Sequence, residues 1–235
     1  MHIAGLQKMT LLDYPGKVAC TVFLQGCNFR CPFCHNSDLL PGAGQDFMTR
    51  EEFLSFLESR KGLLDAVCVS GGEPTLQPEL EDFLRDIKAM GYHVKLDTNG
   101  SRPEILMHLV GEGLVDYVAM DIKNSPDGYA ATAGARICLP DIEKSITYLL
   151  SGSVDYEFRT TVVAELHKEA DFEAITKWLK ALCPQGKARR FFLQSYVDRD
   201  SVLEGGLHAP SKETLQKYAQ ILHSAADYVN LRGVD

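Results

Sequence analysis

Three of the seven cysteines in this chain fall within eight positions, Cys27-x3-Cys31-x2-Cys34, in the stretch GCNFRCPFCHN (26–36). As thiolates they are soft ligands for zinc or for an iron–sulfur cluster, and a CxxC pair among them could cycle through a disulfide. A redox pair would use Cys31 and Cys34 and leave Cys27 without a role. A zinc ion needs a fourth ligand; His35 is the candidate, but it adjoins Cys34, and two such neighbours can hardly reach one ion in tetrahedral geometry. A [4Fe–4S] cluster normally takes four thiolates, so with three supplied one iron stays open for a ligand that is not protein. Cys20, Cys68, Cys138 and Cys183 are scattered. Cys20 and Cys68 alternate with Val and Thr in strand-like runs and read as buried, inert thiols.

Three further short motifs carry residues able to bind a ligand: GGEP (71–74), DTNG (97–100) and DIK (121–123). Gly71 and Gly72 remove side chains where a backbone approaches a ligand, or simply form a tight turn. Asn99-Gly100 is a good turn by itself, and Asp97 reads equally as a cap or turn residue. Asp121 and Lys123, two apart on a strand, project to the same face.

Each motif follows a predicted strand. Runs rich in Val, Phe, Tyr or Thr predict strands at 18–25, 66–70, 93–98, 115–121, 156–163 and 190–196. Amphipathic helices lie between them. Thr49-x-x-Glu52 is a capping box ahead of Phe53, Phe56 and Leu57, and the next helix opens at Pro78, carries Leu80, Phe83, Leu84 and Ile87, and stops at Gly91. Further helices are expected over 101–111, 140–151, 171–182 and 211–224, with Trp178 on the apolar stripe of the 171–182 helix. Strict alternation implies a parallel sheet with right-handed crossovers, open or curled into a barrel. The C-terminal strand ends then converge on one face, and motifs remote in sequence meet in one site.

At 235 residues the chain is expected to form a single domain, 1–235. Its 24 Lys+Arg against 32 Asp+Glu give a net charge of −8 without a block of one sign, which argues against a nucleic acid or anionic membrane as partner. No apolar run approaches the ~20 residues of a membrane span, and the N-terminus has no apolar leader-like region. A cytoplasmic protein is expected, and clustered cysteines suit a reducing compartment.

CxxxCxΦC with Phe33 before the last Cys, followed one strand later by GGE, resembles the radical S-adenosylmethionine (SAM) superfamily. CHN (34–36), DTNG and DIK resemble, within it, the glycyl-radical enzyme activating enzymes. The stretch from Gly5 to Asn36 is most similar to those that activate anaerobic ribonucleoside-triphosphate reductase. The resemblance runs to about Val163. It implies an α/β fold, a partial (β/α)6 TIM-like barrel with the cluster loop after the first barrel strand. Cys27, Cys31 and Cys34 would ligate a [4Fe–4S] cluster, and SAM would chelate the open iron. Phe33 and His35 would flank SAM, and Gly72 and Glu73 would face its methionine amino group. Asp121 and Lys123 would reach its ribose or carboxylate end, with Asn99, Arg159 and Gln194 as further contacts. Asp97 with Asp121 would hold a monovalent cation. Gln194, Tyr196 and Val197 stand where pyruvate formate-lyase activases carry a SAM-contacting His. The implied reaction begins with one electron from an external reductant such as flavodoxin or ferredoxin. SAM then cleaves to methionine and a 5′-deoxyadenosyl radical, which takes hydrogen from a glycine Cα of a partner enzyme; the stretch 198–206 is a candidate lip for docking that partner. The same residues leave two other readings open: a radical SAM enzyme on a small molecule, like 7-carboxy-7-deazaguanine synthase, or a non-catalytic electron-transfer or sensor protein.

Overall fold

Strands and helices alternate through residues 1–40, 47–183 and 186–234, which the computed structural model describes. The first part of the chain comprises β1 (Ile3–Thr10), β2 (Ala19–Leu24), α1 (Arg50–Glu58), β3 (Ala66–Gly71), α2 (Leu80–Ala89), β4 (His93–Thr98) and α3 (Pro103–Gly111). Then come β5 (Tyr117–Asp121), α4 (Tyr129–Ala133), α5 (Leu139–Leu150), β6 (Asp155–Val162), α6 (Glu169–Leu182), β7 (Ala188–Ser195), α7 (Lys212–Leu222) and β8 (Ala226–Arg232). The strands hydrogen-bond in chain order from β1 to β8. This is an α/β fold with the strand–helix order of a partial TIM-like barrel. β2, β3 and β4 are parallel, as are β6, β7 and β8.

The expectation of a wholly parallel sheet fails at its start, because β1 runs antiparallel to β2. β1 and β8 also lack a strand signal in the sequence. Each is the last strand on its side of the order and largely solvent-facing, so nothing imposes an apolar alternation on IAGLQKMT or ADYVNLR. α4, with five residues, is too short to show a helical period. α2 begins at Leu80 rather than Pro78.

Two compact units divide the chain. The first comprises Met1–Asn28, Asp38–Thr98 and Arg102–Ala119; the second comprises Phe29–Ser37, Asn99–Ser101 and Met120–Asp235. In the first, the capping box forms as predicted, with Thr49 accepting from the Glu52 N–H and Glu52 from the Thr49 N–H, worth about 1 kcal/mol. Phe53 and Leu57 of α1 and Leu80, Phe83, Leu84 and Ile87 of α2 are buried, and the Phe53 and Phe83 rings lie 5.4 Å apart. Each such side chain contributes roughly 1.5–3 kcal/mol. Cys20 and Cys68 are fully buried, and burial pushes both thiols up to about 12; they are inert core residues.

In the second unit α6 and α7 pack through stacked Phe172 and Tyr218 rings, 4.3 Å apart. Trp178 is core, as expected. Its indole Nε1 donates to Glu143 at 2.8 Å, and Tyr129 meets its ring edge-on. Among the described residues no helix is long and apolar enough to cross a membrane.

Candidate cluster and cofactor site

The second unit holds the cysteine loop from Phe29 to Ser37, and with it Cys31, Phe33, Cys34 and His35. Two contacts with α4 fix where the loop starts. The Arg30 N–H donates to the Ala133 carbonyl at 2.9 Å. Gly134, in the left-handed region at φ 59°, brings its Cα so near that an added Cβ would lie 1.9 Å from the Arg30 carbonyl oxygen, so only glycine fits there. The segment after β7 straps the rest of the loop. Glu204 N–H donates to the Pro32 carbonyl at 3.0 Å, Ser201 Oγ donates to the His35 carbonyl at 2.8 Å, and Ser37 Oγ donates to the Ser201 carbonyl. The stretch proposed from sequence as a docking lip thus has contacts of its own with the cysteine loop.

Cys31 and Phe33 are buried, at 7% and 5% exposure. The Lys123 ammonium lies over the Phe33 ring, 6.0 Å from its centre. It also donates to Asp121 Oδ2 at 2.9 Å, while Arg159 Nε donates to Asp121 Oδ1 at 3.0 Å. Burial alone would lower the Lys123 pKa, but the neighbouring Asp121 carboxylate and Cys31 thiolate together raise it above the ordinary lysine value. Lys123 is therefore a fixed positive charge beside Cys31, a setting that favours thiolate and metal binding. Lys123 lies just beyond β5 rather than within it. Its carbonyl is held by His167 Nε2 at 2.9 Å, while His167 Nδ1 accepts from the Val163 N–H at 3.1 Å. His167 is a satisfied core residue, and it places Lys123.

The His35 ring lies 5.7 Å from that of Tyr196, tilted by 32°, and the Tyr196 hydroxyl donates to Asp198. Burial lowers the His35 pKa, so the ring is neutral at pH 7. Its Nε2 is buried with no hydrogen-bond partner, an atom that a bound cofactor would satisfy. Asn99 is buried and forms the expected turn, its Oδ1 accepting from the Ser101 N–H at 3.0 Å; Ser145 of α5 donates to the Gly100 carbonyl. Gln194 pairs in register with Thr161 and with Arg232, and Arg159 pairs with Phe192. These side chains therefore share one face of β6–β8. Sequence reasoning missed Arg232, whose guanidinium bonds both oxygens of the buried Glu157 at 2.8 and 3.0 Å and lies over the Phe192 ring at 3.5 Å. Only its place on an otherwise unsignalled strand could have found it.

The first unit holds Cys27, Gly72, Glu73 and Asp97. Glu73 is 1% exposed. Its Oε1 accepts from the Thr75 N–H at 3.1 Å, the Thr75 hydroxyl and the Thr98 hydroxyl at 2.8 Å, which caps the turn Pro74–Leu76 and ties it to the end of β4. Gly71 and Gly72 face their own chain. Added Cβ atoms would lie 2.4 Å from Leu24 backbone and 2.0 Å from the Gly26 carbonyl oxygen, so packing against the end of β2 already requires both. Asp97 pairs with Lys95 and Ser70.

The donor set fits the group the motif implies. Within the second unit it offers the thiols of Cys31 and Cys34, a lysine charge beside Cys31, and the buried His35 Nε2 without a hydrogen-bond partner. The radical SAM superfamily model matches residues 21–182. The chain belongs to the radical SAM superfamily. Within it, the chain is 31% identical over 240 residues to a Methanocaldococcus jannaschii protein named among the glycyl-radical enzyme activating enzymes, covering 99% of this chain and 96% of that one. It therefore groups with that family of activating enzymes. It is also 40% identical over 143 residues, 57% of each chain, to the pyruvate formate-lyase-activating enzyme of Clostridium pasteurianum. A domain of a pyruvate formate-lyase-activating enzyme from Bacteroides vulgatus shares the fold, with TM-score 0.57 and 23% identity over 72% of this chain and 99% of that one. The cofactors of this radical SAM enzyme are a [4Fe–4S] cluster and SAM.

Proposed function

We propose that this enzyme activates anaerobic ribonucleoside-triphosphate reductase by removing a hydrogen atom from the Cα of one of its glycines. The observation that carries the reading is the group formed by Cys31, Phe33, Asp121, Lys123 and Arg159, in a chain aligned end to end with an activating enzyme. The choice of reductase rests on the likeness of residues 5–36 to the activators of that enzyme, and on Gln194 and Tyr196 replacing the histidine of the lyase activators.

Cys27, Cys31 and Cys34 would hold the cluster. When bound and reduced by an external one-electron donor such as flavodoxin or ferredoxin, it supplies the electron that cleaves SAM and so generates a radical able to take a hydrogen atom. The chain's own task is orientation and electrostatics. Lys123 stabilises the Cys31 thiolate, Asp121 is held in one aim by Lys123 and Arg159, and buried Phe33 and Tyr196 shield that side of the loop from water.

The test is to incubate the anaerobically reconstituted, reduced protein and SAM with the reductase, and separately with pyruvate formate-lyase, and to record electron paramagnetic resonance spectra. A glycyl radical in the reductase alone is expected. A radical in the lyase alone would move the partner assignment. SAM consumed with no radical in either protein would favour a small-molecule substrate, for which the polar face of Arg159, Gln194 and Arg232 is the place to look.

A further inference from the structure

Resemblance implies a monovalent cation held by Asp97 with Asp121, but the surroundings of Asp97 do not fit one. Lys95 and Asp97 are two apart on β4 and leave the strand on the same face. Lys95 is 2% exposed, and its ammonium lies 2.5 Å from Asp97 Oδ1. The other carboxylate oxygen, Oδ2, accepts from Ser70 on β3 at 2.9 Å. The next residue in register with Lys95 is Cys68, whose thiol burial keeps neutral, so no thiolate draws the ammonium away from Asp97. Thr21, on the same face one strand further, donates to Asp13. Both oxygens of Asp97 are engaged, one of them by a positive charge that is itself buried, and an added sodium or potassium ion would meet that charge at contact distance.

We propose that Lys95 is a built-in counter-ion that takes the place of a monovalent cation at Asp97. A tethered ammonium does not have to be captured from solution, so it gives up none of the translational freedom an ion would lose. Lys95 is a positioning residue, acting through Asp97. Its link to SAM rests on the proposed function; the indifference of Asp97 to added cations does not.

The test compares sodium, potassium and tetramethylammonium chloride at equal ionic strength. Two quantities are read: SAM affinity of the cluster-loaded protein by calorimetry, and the thermal midpoint of the metal-free chain. For the unmodified protein the SAM affinity is expected to agree within twofold across the three salts and the midpoint to be the same. Lys95→Met, of similar length and without charge, should bind SAM at least tenfold more weakly in tetramethylammonium. Sodium or potassium should restore at least threefold of that loss and raise its midpoint, because only a small ion enters the space the ammonium leaves. Selective rescue of this kind would not follow from lost packing. If Lys95→Met does not fold, Lys95→Met/Asp97→Asn removes both charges and should fold with a midpoint indifferent to the salt. The proposal is overturned by a tenfold cation dependence in the unmodified protein, by Lys95→Met weakened equally in all three salts or not at all, or by a salt-dependent midpoint in the double variant. Failure of the SAM-site assignment on which that link rests would look different: no SAM binding in any salt, with the midpoints of the metal-free chain still deciding the counter-ion.

Discussion

Glu73→Gln separates the two jobs that the structure and the proposed function give to one carboxylate. Oε1 accepts from the Thr75 N–H, the Thr75 hydroxyl and the Thr98 hydroxyl in a setting 1% exposed. Glu73→Ala strips all three donors of their partner, and leaving one buried group unsatisfied costs about 1–3 kcal/mol. At roughly 2–4 °C per kcal/mol for a chain of this size, the metal-free Ala variant should melt at least several degrees lower. Glutamine keeps an oxygen at Oε1, so its midpoint should stay within about 2–3 °C of the parent, corresponding to under about 1 kcal/mol. What glutamine removes is the charge. If Glu73 receives the amino group of SAM, losing that charge-assisted contact costs roughly 1.5–3 kcal/mol, or one to two decades in affinity. The assays are scanning fluorimetry on the metal-free chain, iron content after reconstitution, and calorimetry with SAM. Parental iron content and midpoint with SAM binding weakened at least tenfold is the expected result. A Gln variant that binds SAM as tightly as the parent would refute the assignment and leave Glu73 a purely structural cap.

Cys27→Ala, Cys31→Ala and Cys34→Ala should each lose cluster iron and the visible absorbance band, whereas Cys20→Ala and Cys183→Ala should keep both; a cluster surviving loss of Cys27 would void the ligand set. Gly134→Ala forces a side chain into the left-handed region, at about 1–2 kcal/mol, and onto the Arg30 carbonyl. It should lower the midpoint and slow iron uptake, and a parental uptake rate would show that the loop start is not held there. Burial lowers the pKa of His167, so in the pH range below the free imidazole value near 6.5 the unfolded chain binds the extra proton. Stability should therefore be fully present above that value and fall as the pH drops, by at most about 1.4 kcal/mol per unit for this group, and His167→Gln should flatten the acid limb of a denaturation series on the metal-free chain.

Where side chains obeyed a period or a spacing, the sequence was readable. The six central strands and the Thr49 capping box stand where alternation and turn chemistry place them, because buried strands and capped helices leave strong patterns. β1, β8 and α4 were hidden because exposed edges and single turns impose no pattern. The cysteine spacing narrowed the chemistry to a redox pair, zinc or an iron–sulfur cluster, and the resemblance carried by Phe33 and GGE chose among them. For Gly72 the sequence offered two reasons, ligand approach or a tight turn, and the Gly26 carbonyl oxygen supplies a reason for glycine without any ligand. Lys95 and Arg232 were invisible because their meaning lies in the carboxylates they meet. Nothing in KLD or NLR distinguishes a buried ion pair from a solvated one.

The strap after β7 bears on how this chain can be cut. The family match ends at residue 182 and contains all three motif cysteines, so a fragment trimmed to it would look sufficient. It would lack Ser201 and Glu204, which hold the carbonyls of His35 and Pro32. It would also lack Tyr196, on which the His35 ring rests. The cysteine loop would then keep its α4 contacts and lose these. The smallest piece worth expressing for reconstitution therefore runs past residue 204, and because β8 pairs with β7 and packs against α7, in practice to residue 232. The family model ends well short of the chain that the cluster loop needs.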